Sequence, residues 1–208
     1  MAESYTGTRF RTVFVSSAVP RGKEVRELRR WCGIFARNEL APEFRNRGRM
    51  SSAGNLSARL GRGFAITAAG CNLARMSGDE VVRVIRCDAK RKVAETSGAR
   101  EPSSETMLHW MIYGKRPDVN FVFHGHDSAV MKNASLLGLA ETEKEMPYGS
   151  LELVREVEKA MEKNPDAGFI VLKNHGFVAF GAGADETGRL ALEICGRARA
   201  IETSKSQH

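Results

Sequence analysis

Residues 101–127 read EPSSETMLHWMIYGKRPDVNFVFHGHD. The stretch spells a helix start, a helix, a tight turn, and a strand that ends in two histidines. Pro102 is tolerated where a helix begins and not inside one, and Ser103 or Ser104 can cap the free N–H groups of a first turn. Glu105 then falls in that first turn, where the helix dipole favours negative charge. Lys115, Arg116, Pro117 and Asp118 stop the helix. From Val119 the residues alternate as in a strand, so Val122, His124 and His126 share one face and Phe121, Phe123 and Gly125 the other. Two imidazoles two residues apart on one strand face can converge on a single metal ion. Taken singly, Glu105 is a dipole-complementing residue and the histidine pair a polar strand end, so a catalytic metal site needs a third ligand from elsewhere.

A third candidate lies downstream. Residues 168–172 and 177–180 are short apolar strands, and Lys173, Asn174, His175 and Gly176 form the turn between them. Upstream, residues 10–17 read as a strand closed by Pro20, so residues 1–20 form an added edge strand or an extension. From Arg21 or Gly22 to Leu40 the apolar positions Val25, Leu28, Trp31, Cys32 and Phe35 follow helical spacing. Residues 51–59 make a small-residue turn leading into a strand, Gly61, Arg62 and Gly63 a hairpin turn, and residues 64–67 the return strand. A turn at 68–70, a β-branched strand over 81–87, and helices over 128–137, from Ser150 to Asn164, and over 185–201 complete the pattern. Helices on both faces of a mixed, largely antiparallel sheet accommodate it: an α/β, three-layer α/β/α sandwich, with residues 21–208 as one domain.

Composition narrows the function classes. The chain has 208 residues, 42% hydrophobic and 27% charged, which suits an ordered domain with a real core. No apolar run reaches the length of a membrane span, and polar residues follow Met1 where a secretory signal would be apolar. The four cysteines are scattered without a Cys-x-x-Cys pair, so neither a disulfide framework nor a zinc ribbon is expected, and the cytoplasm is the expected compartment. The net charge of +7 is concentrated in residues 21–49, but interspersed glutamates favour a solvated helix face with its own ion pairs over a nucleic-acid surface.

Five segments occur in order: Ala53-Gly54-Asn55-Leu56-Ser57, Thr67-Ala68-Ala69-Gly70, Pro102-Ser103-Ser104-Glu105, His124-Gly125-His126 and Asn174-His175-Gly176. Together they resemble the class II aldolase/adducin family, over a span from about Glu24 to Arg199. The resemblance implies that His124, His126 and His175 bind a divalent metal, usually zinc, and that Glu105 is the acid/base. It implies a phosphate site made from Asn55, Ser103, Ser104 and the backbone at Gly70. It further implies a small sugar phosphate substrate, a homotetramer, and a lyase reaction such as retro-aldol cleavage. Decarboxylation, dehydration and epimerisation are the alternatives, as is a non-catalytic adducin-like module. His109, on the helix face of Glu105, is read as a hydrogen-bonded helix residue outside the metal set, and His208 carries no signal.

The chain departs from the family pattern in three places. Ala69 stands where a hydroxylic residue commonly helps to hold the phosphate. Gly125 replaces a polar residue between the histidines and is expected to loosen the strand locally. No tyrosine matches the one that protonates the leaving aldehyde oxygen in the sugar-phosphate aldolases.

Overall fold

A computed structural model describes residues 7–46 and 48–206; Met1 to Thr6, Arg47, Gln207 and His208 lie outside the described residues. In chain order the elements are β1 (Arg11–Ser16), α1 (Lys23–Arg37), β2 (Glu43–Asn46), β3 (Arg49–Ser52), β4 (Asn55–Leu60), β5 (Gly63–Thr67), β6 (Val81–Asp88) and β7 (Val93–Ser97). There follow α2 (Thr106–Lys115), β8 (Phe121–Gly125), α3 (Ser128–Asn133), β9 (Ala140–Glu141), α4 (Leu151–Lys163), β10 (Phe169–Leu172), β11 (Gly176–Gly181) and α5 (Ala184–Lys205).

Among the described residues, nine strands form one sheet in the order β1-β7-β6-β5-β4-β8-β11-β10-β9, and β2 and β3 pair separately. Only β1 with β7 and β10 with β9 run parallel in the large sheet; its other neighbours are antiparallel. Helices cover both faces. Trp31, Cys32 and Phe35 of α1, Val130 of α3 and Ile194 of α5 pack with Leu56, Phe121, Phe123 and Phe177 on one side. Leu108 and Ile112 of α2 and Leu153 and Val157 of α4 pack with Phe64, Ile66, Val122 and Val178 on the other. The three-layer α/β/α sandwich with a mixed, mostly antiparallel sheet is therefore the architecture, and strand alternation decides which residues enter which core.

Several elements differ from the sequence reading. The hairpin β2–β3 and the strand β7 were not anticipated, because EFRN, RMSS and VAETS lack an apolar alternation and gain their strand character from partners. α1 ends at Arg37 and α3 at Asn133, earlier than the expected Leu40 and Leu137. α2 begins at Thr106, with Glu105 at the cap position and no side-chain cap, so Ser103 and Ser104 precede the helix and do not cap it. The basic α1 carries one weak intrahelical pair, Lys23–Glu27 at 4.0 Å, while Arg30 pairs across to Asp185 of α5.

β8 occupies the middle of the sheet, between β4 and β11. Gly125 at its end does not loosen it. A Cβ there would lie 2.6 Å from Phe177 Cζ and 3.0 Å from the Leu40 carbonyl oxygen, so a hydrogen is all the packing admits. Gly125→Ala is expected to destabilise the fold by about 1–3 kcal/mol, the usual cost of overpacking. Denaturant unfolding measures it, and an unchanged midpoint would contradict the contact.

Candidate metal centre

His124 is the fixed point of the site. It stands on β8 opposite Asn55 of β4 on one side and Val178 of β11 on the other, and it is buried. Its Nδ1 lies 2.8 Å from the Phe177 carbonyl oxygen. A carbonyl can only accept, so Nδ1 carries the proton. Burial, aided by neighbouring His175, depresses the His124 pKa to about 3, so the ring is neutral and Nε2 presents a lone pair.

His126 follows the strand, tied by its backbone N–H to the Leu40 carbonyl at 2.9 Å. Burial and the two other histidines hold its pKa well below the ordinary value. His175 arrives from the β10–β11 turn, which closes through His175 N–H to Leu172 O at 2.9 Å and takes a left-handed Asn174 at φ 55°. Glycine is needed on either side of this convergence. A Cβ on Gly54 would meet the His124 carbonyl oxygen at 2.6 Å, and one on Gly176 the Gly125 carbonyl oxygen at 2.4 Å. The three imidazole centroids lie 4.7, 4.9 and 5.2 Å apart, and one ring nitrogen from each falls within 4.8 Å of the others.

Glu105 reaches the same space from α2. The segment ahead of it is strapped to the end of β5: Ser103 N–H donates to Thr67 O at 3.1 Å, Ala69 N–H to Glu101 O at 2.9 Å, and Pro102 bridges Ala68. The end of β5 and the turn after it are thereby tied to the segment that leads into α2. Gly70 holds φ +67° and its carbonyl accepts from the Ser51 hydroxyl at 2.8 Å. The buried Glu105 carboxylate accepts from Asn55 Nδ2 through Oε2 at 2.8 Å. The same Oε2 is 3.1 Å from His124 Nε2, and Oε1 is 3.7 Å from His175 Nε2.

That contact tests whether the residues suit a cation. His124 Nε2, whose other ring nitrogen is engaged by the Phe177 carbonyl, lies 3.1 Å from Glu105 Oε2. Among the described residues, Glu105 Oε1, Asn55 Oδ1 and His175 Nδ1 are buried without hydrogen-bond partners. Three imidazoles around one point, with the Glu105 carboxylate beside two of them, are a donor set that divalent transition metals take up. The residues fit.

A second layer lies behind Glu105: His109 is a hydrogen-bonded helix residue, as the sequence suggests, but its partners Ser57 and Tyr113 were not foreseen. His109, fully buried, places Nδ1 2.6 Å from Ser57 Oγ, which is also 2.8 Å from Tyr113 OH. Burial depresses the His109 pKa to about 3. The signal was present: Ser57 follows Asn55 on one strand face, and Tyr113 follows His109 by one helical step. Asp127, next to His126, was missed too. It caps α3 through Ala129 and Val130 N–H, and its other oxygen accepts from Arg199 Nε at 2.7 Å.

Residues 43–200 match the family model described as the Class II Aldolase and Adducin N-terminal domain. The chain belongs to this family. It is 31% identical over 163 residues to a 5-methylthioribulose-1-phosphate/5-deoxyribulose-1-phosphate aldolase of Rhodospirillum rubrum, covering 69% of this chain and 67% of the relative. It is 30% identical over 149 residues to a methylthioribulose-1-phosphate dehydratase of Leptospira biflexa, covering 69% and 68%. Among solved structures, an L-fuculose 1-phosphate aldolase superposes with a TM-score of 0.71 at 21% identity, over 90% of this chain and 89% of that one. At that identity the superposition speaks for the fold alone. No described helix is long and apolar enough to cross a membrane.

The buried histidines make stability depend on pH. His109 and His124 stay neutral in the fold down to about pH 3, whereas in the unfolded chain they take protons below about 6.5. The unfolded state thus binds more protons, and stability falls as pH drops from 6.5 toward 3, by up to about 1.4 kcal/mol per pH unit for each histidine. Denaturant midpoints in chelator between pH 7 and 4 check this, with a shallower slope expected in His109→Gln.

Proposed function

We propose that the protein is a metal-dependent lyase acting on a small ketose phosphate, with His124, His126 and His175 as ligands and Glu105 as acid/base. One observation carries the reading: the neutral His124 Nε2 and the Glu105 carboxylate confront each other at 3.1 Å, with two further imidazoles around the same point. A divalent cation, zinc by the donor set, supplies Lewis acidity to the oxygens beside the bond that breaks. All else falls to the chain.

The phosphate is assigned to Ser103, Ser104, Asn55 and the backbone at Gly70. The dipole at the start of α2 favours an anion there. Ala69 offers no hydroxyl, so the two serines and backbone N–H groups carry the phosphate. In the retro-aldol direction Glu105 accepts the C4 hydroxyl proton as the C3–C4 bond of the ketose breaks, C4 becomes the aldehyde carbonyl carbon, and the electron pair of the broken bond passes to C3; Glu105 then returns that proton to C3. Such a proton transfer contributes about 100- to 10,000-fold in rate.

Dehydration is the second reading, favoured by the dehydratase among the relatives. Loss of the C4 hydroxyl as water follows removal of the C3 proton, so the same carboxylate serves either reaction. The Tyr113 hydroxyl is engaged by Ser57, and Arg9 stacks on the Tyr148 ring at 5.5 Å. No tyrosine in the sequence matches the proton donor of the sugar-phosphate aldolases, which keeps dehydration in contention. A cyclic homotetramer and a cytoplasmic location belong to the same proposal, by analogy with the family.

The test incubates the metallated protein with 5-deoxyribulose 1-phosphate and 5-methylthioribulose 1-phosphate. Release of triose phosphate marks cleavage; loss of water without chain shortening marks dehydration; neither product from either compound sinks the reading. Glu105→Gln is expected to retain one divalent cation per chain by metal analysis while turnover falls at least 100-fold. Ser103→Ala is expected to raise KM for the phosphorylated substrate with a smaller change in kcat, and inorganic phosphate should compete with substrate.

A further inference from the structure

Two ladders meet behind the metal centre. Asn55, Ser57 and Arg59 stand on one face of β4, and Glu105, His109 and Tyr113 follow at steps of four along α2 and the residue that caps it. Two residues of strand advance about 6.8 Å and four of helix about 6 Å, so successive rungs stay matched. The first rung is Asn55 Nδ2 to Glu105 Oε2 at 2.8 Å, the second Ser57 Oγ to His109 Nδ1 at 2.6 Å. The third sets the Arg59 guanidinium 4.8 Å above the Tyr113 ring, with Arg59 Nη2 donating to the Tyr113 carbonyl.

Proton positions along this ladder follow from its distances. Tyr113 OH has Ser57 Oγ at 2.8 Å and, as its other acceptor, Asn120 O at 3.5 Å, an oxygen already taken by Arg59 N–H at 2.8 Å. Tyr113 therefore donates to Ser57. Ser57 in turn has His109 Nδ1 at 2.6 Å against Val122 O at 3.4 Å, so its proton goes to Nδ1. A neutral imidazole that accepts at Nδ1 carries its hydrogen on Nε2. Phe64, stacked on the ring with an interplanar angle of 29°, holds its plane.

Among the described residues, His109 Nε2 is buried without a hydrogen-bond partner, and four residues earlier, at the cap of the same helix, Glu105 Oε1 is a buried acceptor without one. Leaving one such group unmatched is costly, and native interiors rarely do so without a function. The carboxylate now lies in the space between the imidazoles, so whatever occupies that space competes with it.

Resting on the function proposed above, we propose that His109 is a positioning residue. Its Nε2–H, oriented by Tyr113 and Ser57, receives Glu105 and holds the carboxylate in its working orientation while the imidazole-lined space is filled. The anion then has Asn55 on one oxygen and His109 on the other, and α2 need not move.

The experiment uses the full chain with histidines labelled with nitrogen-15. Nitrogen and proton shifts should show His109 as the Nε2–H form, and Ser57→Ala should erode that preference. Adding the metal and then acetohydroxamate, a bidentate oxygen chelator, should move the Nε2 proton downfield as Glu105 engages it. In kinetics, His109→Phe should keep one divalent cation per chain and a KM within about twofold while kcat falls about 10- to 100-fold. His109→Gln, which retains an N–H donor, should recover most of the loss; a purely structural histidine would show losses in cation content and thermal stability with no such rescue. An Nδ1–H tautomer, or an undiminished kcat in a folded His109→Phe, overturns the proposal. A wild-type protein that binds no divalent cation instead overturns the functional reading, while the tautomer measurement still stands.

Discussion

The arrangement depends on one hydrogen bond, from His124 Nδ1–H to the Phe177 carbonyl. It pins the ring to the neighbouring strand, sets its tautomer, and leaves Nε2 as a lone pair facing Glu105. Because β8 lies mid-sheet, His124 is paired on both sides and does not move independently of Asn55 or of the turn carrying His175. Burial then keeps the ring uncharged. A rigid, neutral nitrogen is thereby directed at a buried carboxylate 3.1 Å away.

Close backbone approach makes this convergence possible. Gly54, Gly125 and Gly176 lie where a methyl group would meet a carbonyl oxygen or the Phe177 ring. The β8 end, the β3–β4 turn and the β10–β11 turn can thus crowd around one point. The strap between residues 67–69 and 101–103 does the same for α2, bringing its start against the end of β5. Specific glycines and an irregular, hydrogen-bonded segment hold the site together where the regular elements end.

Much of the fold was legible along the chain. The alternation in residues 119–126, the helical stripe of α1 and the capped helix at Ser150 reflect local preferences, and local preference is encoded in neighbouring residues. The hairpin β2–β3 and the strand β7 were not legible, since polar strands such as RMSS become strands only when a partner supplies hydrogen bonds. The start of α2 was misread for a related reason. Ser103 and Ser104 look like helix caps, but Ser103 N–H is claimed by Thr67 O, an interaction 36 residues distant in sequence, so the helix begins later.

The residue types alone specified the chemistry on offer: three histidines, a glutamate, two serines beside a helix start, and turns with the glycines to bring them close. They also specified the two faces of each strand, because side-chain direction alternates whatever the strand packs on. Only the tertiary structure decided that His124 is neutral with its proton on Nδ1, that Glu105 lies 3.1 Å from it, and that His109, Ser57 and Tyr113 form a chain behind that carboxylate. Protonation and hydrogen-bond direction depend on burial and on partners dozens of residues away, and these exist only once the sheet has closed around them.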